Sequence, residues 1–315
     1  MKYVFIVNPA SGQGGHEADL APEIRELIAG NPNRDIRLFY TKGERDATVL
    51  ADMIAAESSE EVVIFACGGD GTIQEVANGI HGHDNAILGV VPAGSGNDFV
   101  RELSKKRSNT KDYRKLHEIF SGVPAKIDLI RMSWIEGGVE KTRYITNGIN
   151  IGFDGNTAIL AHDLKKLPLV SGTGSYLLAV ARNLVLKKGQ KLRITADGKD
   201  FHTGELLLVT AANGGFCGGG VQSCPNADLS DGLIELLAIK DVSRLRFVSL
   251  FPKYKAGKLM DIRDFDDMAS YTQAKSIIIE PMLGPTMRFV GDGEIFETGT
   301  LRISIEPKAI RVLKV

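Results

Sequence analysis

Cysteine is scarce in this chain: Cys67, Cys217 and Cys224 are the three in 315 residues. No two form a CxxC pair or stand at metal-ligand spacing, which argues against a thiolate metal centre. With no secretory signal, a reduced cytosolic compartment is expected. Long apolar runs are also missing. Met1–Val7 is a short run ending at Asn8-Pro9, too short for a signal or a span, and no stretch reaches roughly 18 apolar residues. Net charge is nearly absent at −1, so no global field draws the protein to nucleic acid or to anionic membrane. Any membrane attraction must come from local patches. Repeats, low-complexity tracts and long linkers are lacking too.

What is present is an ordinary globular composition, 43% hydrophobic and 24% charged. The length exceeds what one core usually holds, so two domains are expected. The 35 glycines are clustered, which marks places where backbone turns sharply or approaches a ligand.

Over the first 125 residues, Tyr3–Val7, Ile36–Tyr40, Val62–Ala66 and Ile87–Val91 read as buried strands. Between them Leu20, Ile24, Leu27 and Ile28 share one helical face. Ala47, Leu50, Met53 and Ile54 share another, and Ile73, Val76, Ala77 and Ile80 a third. Strand–helix repetition of this kind predicts an α/β fold with a parallel sheet.

Beyond residue 125 the texture changes to strands. The candidates are Lys126–Trp134, Tyr144–Phe153, Leu192–Ala196, Glu205–Ala211, Leu233–Ile239, Ser276–Glu280, Met287–Val290 and Leu301–Ile305. Asp197-Gly198 and Asp292-Gly293 are hairpin signals. Helices are expected over Tyr176–Lys188 and Arg244–Lys255. The expectation is an antiparallel β-sandwich as second domain. The apolar tail Ala309–Val315, after Pro307, reads as one more strand.

The strongest local signal is Gly68-Gly69-Asp70-Gly71-Thr72, after a buried strand and before an amphipathic helix. Glycines there let amides approach phosphate oxygens, and the helix start favours negative charge. Thr72 is a natural N-cap. Asp70 beside phosphates is repulsive unless a cation lies between, so one reading has it acting through Mg²⁺. The other is a tight turn with a capping Asp. No GxxxxGK[ST] stretch supplies a P-loop lysine. Asn8-Pro9-Ala10-Ser11-Gly12 follows the first strand, and Gly94-Ser95-Gly96-Asn97-Asp98 the fourth. Each is ordinary turn chemistry alone. Their expected convergence on one sheet edge points to a nucleotide.

These motifs, with Asn213–Gly220, Pro225–Leu233 and Asp292-Gly293-Glu294, resemble the ordered set of the bacterial diacylglycerol kinase family over nearly the whole chain. That family shares its catalytic domain type with sphingosine kinases and mammalian diacylglycerol kinases. The Gly-Gly-Asp-Gly-Thr motif is shared more widely, with NAD kinases and phosphofructokinase-like folds, so the later motifs carry the specificity of the resemblance. Gly-Ser-Gly stands where many relatives have Gly-Thr-Gly, and Ile295 where Pro is frequent.

The resemblance implies an ATP- and Mg²⁺-dependent kinase that phosphorylates the hydroxyl of diacylglycerol or a related lipid. ATP would contact Asn8, Pro9, Ala10, Ser11, Gly12, Thr41, the run Gly68, Gly69, Asp70, Gly71, Thr72, Ile73 and Gln74, and Ser95. A structural Mg²⁺ would be held by Asp231, the Leu233 carbonyl and Asp228, with Asp128 reaching it through water. Without the resemblance, that loop is a solvated acidic turn. The catalytic residues would be Glu294, as the base, and Asp70, acting through Mg²⁺, although by itself Glu294 reads as an exposed turn residue.

The ATP domain would comprise 1–125 plus 306–315, and the lipid-substrate domain 126–305. The partner would be a lipid at the membrane surface, visited peripherally from the cytoplasmic side, with no nucleic acid. Some relatives are dimers, which leaves a homodimer open. Lys165-Lys166, Lys187-Lys188 and Lys253/Lys255/Lys258 are basic clusters that suit either solvated helix ends or membrane contact. Two rivals stand beside this reading. One is a kinase of a soluble metabolite such as NAD, and the other is a non-catalytic nucleotide-binding sensor.

Overall fold

The computed structural model describes residues 1–11, 20–94, 96–104, 113, 115–153 and 189–314. The chain divides into two compact units, Met1–Leu129 with Pro307–Val315, and Ile130–Glu306.

In the first unit, β1 (Lys2–Val7), β2 (Ile36–Tyr40), β3 (Val62–Gly68) and β4 (Ala86–Pro92) alternate with helices. These are α1 (Ala21–Gly30), α2 (Asp46–Glu57), α3 (Asp70–Ile80) and α4 (Asp98–Leu103). The strands are parallel in the order β4-β3-β1-β2. Every residue of β3 and β4 is buried, as continuous apolar runs require in a sheet covered on both faces. Ile24 of α1, Ala47, Ala51 and Ile54 of α2, and Ile73, Val76, Ala77 and Ile80 of α3 turn inward. Parallel register brings the strand ends to one edge: Val7 is level with Tyr40 and Cys67, and Gly68 with Pro92.

A further parallel strand comes from the far end of the chain. β15 (Leu301–Lys314) sets Arg311 and Val312 beside Ile87 and Leu88 of β4. Leu313 joins the core of this unit. The Arg311 guanidinium lies 2.6 Å from Glu61 Oε1 and 2.6 Å from the Asp84 carbonyl. The sequence suggested a new strand after Pro307. Instead one strand runs through it, with Lys308 absorbing the irregularity at φ 55°.

The second unit is antiparallel. Beyond β5 (Val123–Glu136), which crosses the division, its strands are β6 (Val139–Ile145), β7 (Gly148–Gly152), β8 (Gln190–Ala196), β9 (Lys199–Ala212) and β10 (Ile234–Lys240). They continue with β11 (Ala269–Ala274), β12 (Ser276–Pro281), β13 (Met287–Gly291) and β14 (Glu294–Thr298). The order is β14-β13-β7-β9-β8-β12-β15, with β10 between β9 and β11 and β6 on β5. Helices α5 (Arg244–Lys255) and α6 (Phe265–Met268) complete it.

Alternation along β10 explains the sandwich-like build. Ile234, Leu236 and Ala238 enter one apolar cluster, while Leu237 and Ile239 enter a second with Phe153, Phe247 and Tyr254. Both faces of the strand are thus covered, as a period of two requires when neighbours alternate in direction. Asp197-Gly198 (φ 47° and 75°) joins β8 to β9, and Asp292-Gly293 (φ 45° and 90°) joins β13 to β14. Two left-handed residues in a two-residue loop are what the twist of a hairpin favours.

Two expectations need correction. The run Tyr144–Phe153 is not one strand: it breaks at Thr146-Asn147, whose backbone amides bond a carboxylate instead of a neighbouring strand. β11 and β14 were not anticipated, because Ala-Ser-Tyr-Thr-Gln-Ala and Glu-Ile-Phe-Glu-Thr carry too few apolar residues to stand out. The helix expected over Tyr176–Lys188, Lys165-Lys166 and Lys187-Lys188 lie outside the described residues. Among the described residues, no helix is long and apolar enough to cross a membrane.

Truncation after Glu306 removes the buried side chains of Ile310, Val312 and Leu313 and uncovers the edge of β4. At roughly 1.5–3 kcal/mol for each aliphatic side chain, the loss is on the order of 5 kcal/mol. A urea titration should show the first unit unfolding at a much lower midpoint. An unchanged midpoint would refute a structural role for the tail.

Candidate functional site

At the strand-end edge of the first unit, three turns are tied together by side chains from one another. Asn8, just past β1, donates its backbone N–H to the Cys67 carbonyl at 3.0 Å. Its amide Nδ2 donates to Thr72 Oγ1 at 3.1 Å, and its Oδ1 accepts from the Ala10 N–H at 3.0 Å. Thr72 is therefore not the cap of α3: the helix starts at Asp70 with Gly69 as cap, and the threonine holds the first turn. Thr41 donates its N–H to the Val7 carbonyl and is buried.

The Gly-rich turns after β3 and β4 touch backbone to backbone. A Cβ on Gly94 would stand 2.5 Å from Gly69 Cα, and one on Gly68 would meet Thr72 Oγ1 at 2.3 Å. Only glycine allows this approach. Asn97, left-handed at φ 53°, closes the turn after β4, accepting from the Gly94 N–H at 3.1 Å and donating to its carbonyl at 2.7 Å.

Asp70 joins these two turns. Its Oδ1 accepts the Phe99 N–H at 3.1 Å, at the start of α4. Burial pushes its carboxyl above the ordinary carboxylate range, against the pull of the amides of Phe99, Asp98 and Asn97. The alternative of a capping Asp thus describes the contacts it makes, although the helix it caps is α4 and not α3.

Apart from its chain neighbours and the backbone of its own helix, no atom of the described residues lies within 4 Å of a Cβ placed on Gly71. The start of α3 can therefore receive an anion on that side. Asn8, Ser11 and Gly69 border it partly exposed, and Pro9 and Ala10 are exposed. Ile73 and Gln74 are fully buried, so their side chains support this edge from within. Gly12 and Ser95 lie outside the described residues.

In the second unit, the Asp-Gly-Glu hairpin is anchored by a carboxylate. Asp292 Oδ2 accepts the Thr146 N–H at 2.6 Å and its Oγ1–H at 2.7 Å. Oδ1 accepts the N–H of Asn147 at 3.0 Å and of Gly148 at 2.9 Å. Burial nevertheless raises its carboxyl to about 6, so it is ionised at neutral pH. Asn147 in turn receives the Asn213 and Gly214 N–H groups on its carbonyl and donates its side-chain amide to the Phe216 carbonyl.

Glu294, level with Gly291 across the hairpin, pairs with Arg143 at 2.7 Å (Oε1 to Nη2), the two side chains 33% and 12% exposed. It is neither a loose turn residue nor buried. Thr146, Asn147 and Arg143 escaped the sequence reading. The usable signal was the polar pair Thr146-Asn147 interrupting an apolar run.

The Asp228–Leu233 loop folds on itself. Asp228 Oδ1 accepts from Ser230 N–H and Oγ–H at 3.1 and 2.7 Å, and Asp231 Oδ1 from Leu233 N–H at 3.0 Å. Among the described residues, no group of three or more His, Cys, Asp and Glu gathers. Two carboxylates with carbonyl and hydroxyl oxygens suit Mg²⁺, which is bound through one or two carboxylates and keeps its waters. Asp128, in the first unit, is fully buried and accepts the Lys308 N–H at 2.7 Å.

Comparison with known proteins gives the same picture. Residues 2–132 match the diacylglycerol kinase catalytic domain, and 147–314 the YegS C-terminal NAD kinase beta sandwich-like domain. A diacylglycerol kinase of Mycobacterium tuberculosis (strain ATCC 25618 / H37Rv) is 28% identical, covering 99% of this chain and 95% of its own. A "Probable lipid kinase YegS-like" protein of Klebsiella pneumoniae (strain 342) is 32% identical, covering 96% and 93%. The crystal structure of a diacylglycerol kinase from Bacillus anthracis str. Sterne superposes with TM-score 0.70 at 23% identity, covering 100% and 97%. It shares the fold.

Replacing Asp70 separates its two properties. Asp70→Ala orphans the Phe99 N–H, which should lower stability by roughly 1–3 kcal/mol. Asp70→Asn keeps an acceptor oxygen and should regain most of that loss while lacking the charge. Chemical denaturation of the three proteins checks this, and an Ala variant as stable as wild type would show that the contact braces nothing.

Proposed function

The chain belongs to the diacylglycerol kinase family of lipid kinases, and from that premise we propose that it transfers the γ-phosphoryl group of ATP to the hydroxyl of diacylglycerol or a related lipid, giving phosphatidic acid or its counterpart. The observation that supports this most is the knot of Asn8, Thr72, Asp70 and Asn97 around an open helix start. Phosphoryl transfer is chiefly positioning and charge stabilisation. Asn8–Gly12, Thr41, Gly68–Thr72 and Ser95 hold the phosphates and ribose side of ATP, with Ile73 and Gln74 keeping α3 in place beneath them.

Glu294 receives the proton of the acceptor hydroxyl. A carboxylate fixed by a guanidinium on a hairpin loses little freedom on meeting substrate. Arg143 orients it, and Asp292 sets the turn that carries it. Mg²⁺ supplies charge neutralisation when bound; Asp231, Asp228 and the Leu233 carbonyl would hold a structural ion. The protein works at the cytoplasmic face of the membrane as a peripheral visitor.

Two measurements test this reading. Glu294→Gln keeps the shape and the Arg143 contact but accepts no proton, so kcat on lipid should fall roughly 10²–10⁴-fold with ATP binding unchanged. Turnover largely retained, or ATP binding lost instead, would remove Glu294 from the role. Labelled ATP offered with a lipid panel and with NAD decides the acceptor. Transfer to NAD without lipid, or ATP binding with no transfer at all, would overturn the lipid-kinase proposal.

For the metal, Mg²⁺ should raise the melting temperature of wild type and leave Asp231→Ala unaffected. An equal rise in both would mean the ion binds elsewhere.

A further inference from the structure

Helix α5 has two unlike faces. Phe247, Leu250 and Tyr254 are buried in the second unit, with the Phe247 ring centroid 4.5 Å from that of Phe153. The opposite face shows Leu245, Val248 and Pro252, at i, i+3 and i+7, all exposed. Leu245 is 86% exposed, the highest value for a large apolar side chain among the described residues, and Val248 is 52%. One exposed leucine needs no explanation. An apolar stripe on a helix whose other face already fills the core is different, because packing has no use for it.

The helix itself carries charge of one sign. From Val242 to Met260 the chain has five Lys and Arg and no Asp or Glu, with Asp241 and Asp261 standing just beyond either end of the stretch. Arg246 pairs with Asp264 from outside that stretch. Lys253, Lys255 and Lys258 are exposed and, among the described residues, form no ion pair. The helix dipole accounts for lysines in a last turn, but not for Leu245 and Val248 exposed in the first two turns. The tip of the β5–β6 hairpin makes a useful contrast. Ile135 and Val139 are 64% and 57% exposed there, but Glu136 and Glu140 flank them, and an anionic surface would repel that tip.

We propose that the exposed face of α5, with the turn that follows it, docks the protein on an anionic lipid surface. Leu245 and Val248 enter the boundary between headgroups and acyl chains, and Lys253, Lys255 and Lys258 lie against lipid phosphates. A helix with apolar residues flanked by lysines binds a bilayer in this way. The inference rests on the lipid-kinase reading, since the diacylglycerol hydroxyl sits at that same boundary, and it names the surface through which the protein reaches it.

The test uses vesicles of phosphatidylglycerol and phosphatidylcholine in equal proportion, with cosedimentation as readout. Wild type should partition onto them, and less so as salt rises. Lys253→Gln/Lys255→Gln/Lys258→Gln should weaken partition roughly 10²-fold, and Leu245→Ser/Val248→Ser should weaken it while leaving the salt dependence in place. These residues are exposed, so both variants should keep the wild-type melting temperature and wild-type transfer to a short-chain diacylglycerol dispersed in detergent. On vesicle-borne diacylglycerol their transfer should fall with partition.

Equal partition of wild type and both variants, or no partition of wild type, would overturn the proposal. So would variants that lose self-association while binding vesicles normally, which would make this face an interface between copies. If wild type partitions and the variants do not, the docking surface stands even where no lipid is phosphorylated. That last result would count against the kinase reading alone.

Discussion

The carboxylate of Asp70 against the amide of Phe99 is the contact on which the strand-end edge of the first unit depends. A buried N–H must find an acceptor, and the start of α4 has few, because the turn after β4 is made of residues with little side chain. Asp70 reaches over from the neighbouring turn and fills that need. The arrangement works only because Gly69 and Gly94 let the two backbones meet.

The device recurs. Asp292 satisfies the amides of Thr146, Asn147 and Gly148, which would be orphaned where β6 ends and β7 begins. Asp128 satisfies Lys308 beside Pro307 in the long β15. Asp197 satisfies Lys275 and Ser276 at the foot of β12. In each case a short acidic side chain bonds the backbone where a strand is interrupted or begins. Rigidity at the two places with proposed chemistry, the nucleotide turns and the hairpin bearing Glu294, comes from the same simple pairing. Such rigidity suits phosphoryl transfer, in which the protein contributes position and charge.

Much of this was legible from residue order. The parallel strands announced themselves because burial on both faces makes unbroken apolar runs such as Val62–Ala66. The hairpins at Asp197-Gly198 and Asp292-Gly293 were legible because only residues tolerant of positive φ close a two-residue loop. Helix α5 was legible over Arg244–Lys255, and the structure adds its cap, Ser243 accepting the Arg246 N–H. β14 was missed because, among the described residues, it pairs with β13 alone, and Ile295 and Glu297 face water. Arg143, Asn147 and Asp292 were not seen as a group, because 145 residues separate Asn147 from Asp292 and nothing local foretells a carboxylate bonding distant amides.

What the sequence determined by itself is therefore whatever a local rule governs: the strand and helix periods, the turns that need glycine, the motif set of a lipid kinase, the missing span and the missing net charge. The tertiary structure decided how individual side chains are employed. Asp70 bonds the Phe99 amide, Glu294 pairs with Arg143, and Leu245 stands exposed. A side chain's role depends on which groups the fold brings within about 3 Å of it, and in a sheet built from distant segments those groups are not its neighbours in the chain.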